Sequence, residues 1–249
     1  CGSTSFKSEE TALMKAARSS NLTRFEHIIK HPTFDKNKSK LNKSIDIFMN
    51  TIKKENIRDF LNVLKDNNLI DDFLKKDESF RQLLKLSGIE ILKEIIEGKY
   101  GPFVISDELL KKLFHFSFSI DEYSLSSLKY FIDYDKEHNN VIDFKNEPFL
   151  FYLKKDEVLN KTTEDIVKLL VENGCDVNKP DYRMCFPLEQ AIYDNNYALV
   201  HALLETHKID FNQRITKDNE SFYMYERIGD QKEKSYTETY LHLAASKSL

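Results

Sequence analysis

With 249 residues, 41% of them apolar and 31% charged, the chain has the make-up of a folded globular protein and not of a disordered one. Six Gly and five Pro are too few for the many tight turns of an all-β fold, which leaves a helical architecture. The net charge of −4 comes with both signs interspersed and no dense Lys/Arg stripe, which argues against nucleic acid as a partner, and no run approaches the roughly 18 consecutive apolar residues that span a bilayer.

The chain opens on Cys1-Gly2-Ser3-Thr4-Ser5, with no Met. A Cys followed by small polar residues resembles the start of a mature bacterial lipoprotein. That resemblance implies a diacylglycerol anchor on Cys1, a tether over residues 1–8, and a location in the periplasm or cell envelope. The other reading takes position 1 as an arbitrary cut. Beyond the tether, residues 9–249 are expected to form a single repeat domain.

Apolar stripes of helical spacing recur along this domain. Counting four, seven and eight residues on from Asn21 gives Phe25, Ile28 and Ile29. The same template from Asn56 gives Phe60, Val63 and Leu64, and from Gly88 it gives Leu92, Ile95 and Ile96. Ser124 gives Leu128, Phe131 and Ile132, and Thr163 gives Val167, Leu170 and Val171. Asn196 gives Val200, Leu203 and Leu204. The starting points fall about 32 to 39 residues apart, a period at which helical units stack on one another. Gly98 to Ile105, the Gly/Pro-dense stretch, is read as a finger turn or as a hinge between two halves.

Local signals are sharpest over residues 151–213. Gly174 stands where a left-handed helix C-cap is expected, Asp176, Asn178, Pro180 and Asp181 supply turn chemistry, and Pro187 suits the first position of a helix. Gly174-Cys175-Asp176-Val177-Asn178, then Asp181, Pro187-Leu188 and Ala191, resembles the ankyrin-repeat pattern. Thr11 to Ala17 and Thr239 to Ala245 resemble its T-P-L-H-x-A-A signature. The resemblance implies an all-α solenoid of about six helix pairs plus a C-terminal half-repeat. Residues 41–150 follow it by register alone, and 239–249 would form a capping helix. It also implies that His242 steadies a turn through its side chain, and that turn tips and the concave helix face bind partner proteins.

Two departures from the pattern are candidate binding elements. Tyr182, Arg183 and Met184 occupy a turn tip and are residue types found at interfaces. The insertion over 214–238 carries Phe222, Tyr223 and Tyr225, either as recognition anchors or packed back on neighbouring helices. A short β-hairpin is expected there, 222–228 against 233–239 across Gly229-Asp230-Gln231.

Chemistry-bearing patterns are missing. There is no zinc-protease His pair, no Gly-rich phosphate loop and no G-x-S-x-G elbow, and Cys175 and Cys185 match no usual zinc spacing, though a disulfide between them is open. Asp133, Asp135 and Glu137 lack a calcium loop's offsets. The expectation is therefore no enzyme, no cofactor, no metal and no small-molecule substrate. Instead it is a protein-binding scaffold, an immunity protein against a toxin or lipase in its sharpest form. A secreted effector acting on host proteins is the alternative.

Overall fold

A computed structural model describes residues 11–32, 34, 38–119, 124–138, 140–153, 161–213, 215–217, 236–238 and 240–246. The described residues are predominantly helical, and no helix among them is long and apolar enough to cross a membrane. They divide into two compact units between Phe131 and Ile132.

The first unit contains α1 (Ala12–Arg18), α2 (Leu22–Lys30), α3 (Lys38–Thr51), α4 (Ile57–Asp66), α5 (Ile70–Leu74), α6 (Asp77–Ser87), α7 (Glu90–Ile96) and α8 (Asp107–Ser117). Helix α9 (Ser124–His138) contains the division itself. Helices α1, α3, α6 and α8 pack in succession, while α2 packs on α1 and α7 on α6. The core contains an aromatic cluster. Phe48 stacks on Phe60 at 4.6 Å, Phe25 meets Phe48 at 4.9 Å, and Phe73 meets Phe60 edge-on at 6.3 Å. Burying such a side chain stabilises by about 1.5–3 kcal/mol before entropy is subtracted. The stretch from Gly98 to Ile105 lies within this unit as a turn, with Gly98 and Gly101 at positive φ and Tyr100 and Ile105 buried.

The second unit holds a 3-10 turn at Phe149–Tyr152, α10 (Lys161–Glu172), α11 (Pro187–Tyr193), α12 (Tyr197–Glu205) and α13 (Tyr240–Ser246). Helix α12 packs on α10 and α11, and α13 packs on α11. Strands β1 (Ile215–Lys217) and β2 (Tyr236–Glu238) pair antiparallel, with Thr216 opposite Thr237. This corrects the expected register, in which 233–239 faced 222–228. Residues 222–228 lie outside the described residues.

One helix junction in each unit is built the same way. Ser20, at φ +49°, ends α1, and the Asn21 N–H donates back to the Ala16 carbonyl at 3.1 Å. The Asn21 side chain then caps α2 by accepting from the Arg24 N–H at 2.9 Å. Asn195 at φ +52° and Asn196 repeat both bonds, to Ala191 at 2.9 Å and from Leu199 at 3.2 Å. A left-handed residue followed by an Asn cap turns the chain tightly between helices while satisfying orphan backbone groups.

Candidate binding site

The loop between α10 and α11 begins where Gly174, at φ +104°, terminates α10 and the Cys175 N–H donates to the Leu170 carbonyl at 3.0 Å. Asp176 then folds a short turn by accepting from the Asn178 N–H at 2.9 Å. Asn178 ties this loop to the next one. Its amide donates to the Lys208 carbonyl at 2.8 Å, and its carbonyl oxygen accepts from the Asp210 N–H at 2.9 Å. On the other side Lys179 donates to the Lys145 carbonyl at 2.9 Å and to the Asn146 side chain at 3.0 Å. Three successive loops are thereby fastened into one edge.

The tip of the middle loop is organised by a buried carboxylate. Asp181 Oδ1 accepts from the Arg183 N–H at 2.9 Å and the Cys185 N–H at 3.0 Å, while Oδ2 accepts from Arg183 Nε at 2.8 Å. The Met184 N–H closes the turn onto the Asp181 carbonyl at 3.0 Å. Met184 is held at φ +61°, a left-handed conformation that costs a bulky residue about 1 kcal/mol. The loop bonds offset that cost.

The clamp displays its neighbours. Tyr182 is 90% exposed and Met184 72% exposed. Arg183, also expected from sequence to face a partner, is exposed as well, with its guanidinium engaged within the loop. Its guanidinium pairs with Asp181, which raises its pKa, and lies 5.5 Å from the Tyr182 ring centroid. Of the other expected site residues, Phe222, Tyr223, Tyr225 and Cys1 lie outside the described residues. Sequence reading overlooked Phe211, which is 56% exposed on the following loop. Its D-F-N setting matches the D-V-N of Val177, which is 3% exposed, so the motif pointed to burial.

The titratable groups nearby are structural in character. Cys175 and Cys185 are both free and buried, so no disulfide joins them. Burial pushes the Cys175 thiol up to about 12 and raises Cys185 as well, aided there by Glu189 and Asp181. A nucleophilic or metal-binding cysteine needs the opposite shift. Asp135, one of the three clustered acids, is buried and accepts from the Val141 and Ile142 N–H groups at 2.7 and 3.1 Å, closing the end of α9. No group of three metal-ligating side chains occurs among the described residues. His242 is exposed on α13.

Comparison with known proteins found no matching family model, no matching curated protein and no matching solved structure.

Proposed function

We propose that the chain is an ankyrin-type repeat scaffold that binds another protein without catalysing a reaction, using the 181–185 tip and the loop edge around it. Support for the repeat reading comes from long-range bonds that recur at similar intervals. Ser20 to Thr51, Lys112 to Asp77 and Asp210 to Asn178 span 31, 35 and 32 residues, as expected where equivalent positions of stacked units touch. The observation that carries the binding reading is the pairing of exposed Tyr182 and Met184 with a tip whose backbone is already fixed by Asp181. Ordering settled before association is not lost on binding, so such a tip gives more affinity per contact than a loose one. Aromatic and Met side chains are the residues enriched at interface centres.

In the fuller form of this proposal, Cys1 carries a lipid anchor and the partner is a toxin or lipase held inactive. Two measurements test it. Intact mass of the native N-terminus should show an acylated Cys1, and an unmodified cysteine would remove the anchor. Affinity capture with the chain as bait should retain one protein that the Tyr182→Ala/Met184→Ala variant retains at least about tenfold less well. Equal capture by both would remove the tip from the site.

A further inference from the structure

A second surface lies on the first unit. Helices α1 and α2 flank an open groove of about 560 Å3, floored by Ala12, Ala16 and Ile28. It lies on a different side of α1 from the one that meets α3, where Thr51 Oγ1 donates to the Ala17 carbonyl at 2.8 Å and Ser20 donates to the Thr51 carbonyl at 2.7 Å. The polar lining of the groove carries one sign of charge. Lys15 and Arg24 are exposed cations, His27 adds a ring nitrogen, and among the described residues no Asp or Glu lines it.

Several cations elsewhere in the first unit are paired with acids. Lys30 meets Glu26, Arg58 meets Glu94, Lys76 meets Asp46 and Lys112 meets Asp77. Among the described residues, no acid pairs with Lys15, Arg24 or His27. An outer face that served solubility alone would be satisfied by mixed charge.

We propose that this groove binds an acidic, extended peptide segment of a partner protein. Alanines at the floor let a peptide main chain approach closely, and cations on two different helices suit carboxylates spaced along a strand better than a single small anion. Two cations and an imidazole are too few to hold a nucleic acid backbone. The net charge of −4 repels acidic peptides in general, so binding of one would be local to this groove. The proposal is independent of the tip, and holds or fails without it.

The test is fluorescence anisotropy on the full chain with a fluorescein-labelled hexaglutamate peptide, in about 50 mM salt so that screening is weak. The expected result is saturable binding, weakened at least about tenfold by Lys15→Glu/Arg24→Glu and unchanged by Tyr182→Ala/Met184→Ala. The matching hexaglutamine peptide should not bind. Both cations are exposed, and an unchanged circular dichroism spectrum would exclude unfolding as the cause of the loss. The proposal is overturned by no binding, by equal binding of the glutamine peptide, or by binding that survives the double charge reversal. Complete displacement by inorganic phosphate at matched charge also overturns it, since the groove would then be a small-anion site.

Discussion

Asp176-Val177-Asn178 and Asp210-Phe211-Asn212 form the same turn twice, each with its Asp accepting from the Asn N–H at 2.9 Å, yet Val177 is 3% exposed and Phe211 is 56% exposed. The motif dictates the local turn because the bond is made within three residues. Burial is decided by what stacks on the turn, and three residues do not encode that. A similar contrast separates the edges of the two units. In the first unit, exposed ion pairs such as Lys54–Glu90 at 3.7 Å and Arg58–Glu94 at 2.8 Å tie α4 and the turn before it to α7. In the second, side-chain amides bond to backbone through Asn178 and Gln213. The ion-paired edge should therefore respond to salt more strongly than the amide-bonded one.

The largest expected effect tests the buried member of the pair of turns. Val177→Ala should destabilise the second unit by about 2 kcal/mol in urea unfolding, through lost burial and the cavity left behind. Asn178→Ala removes a donor and an acceptor that bridge two loops, and should cost about 1–2 kcal/mol. Asn178→Asp, which keeps the acceptor, should fall between wild type and the alanine variant. On the other edge, Arg58→Ala should cost no more than about 1 kcal/mol, because the pair is wetted on one side. That difference should shrink between low and high salt, while the Asn178 effect stays constant.

Acid provides a further contrast. Burial raises the Glu94 pKa, but hydrogen bonds from Lys99, Arg58 and Tyr100 outweigh it and leave the carboxyl below its ordinary value. A depressed folded-state pKa contributes stability that is present above the unfolded value and lost as pH falls through the folded one. The first unit should thus weaken as pH drops below the ordinary glutamate range, and Glu94→Gln should flatten that part of the curve. The smallest effect belongs to the exposed turn, where Phe211→Ala should change stability by less than about 0.5 kcal/mol.

These contrasts show how much the sequence could reveal. Asn21 and Asn196 were recoverable as starting points because each is a helix cap, and a cap needs only its own backbone neighbours. Thr11, which accepts from the Met14 N–H at 3.2 Å, and Gly174 were legible for the same reason. Apolar stripes found Phe25, Phe60, Leu92, Leu128 and Val167, all buried, because helical period is local too. Helix α5 and the 3-10 turn at Phe149–Tyr152 gave no comparable signal, being shorter than a periodic pattern needs. The candidate tip was visible by residue type, but its clamp was not. Asp181 bonding the Arg183 N–H two positions on follows the same local rule, but its bonds to the Arg183 guanidinium and to the Cys185 N–H are set by the folded loop and carry no sequence signature.

The most direct test of the binding account is site-specific photo-crosslinking in the cells that express the protein. Tyr182→p-benzoylphenylalanine should yield one discrete protein adduct. Val104, 83% exposed on the first unit, provides an equally accessible control that should yield none. A discrete adduct from position 182 alone is the predicted result, and the same adducts from both positions, or none from 182, would contradict a tip built for a partner.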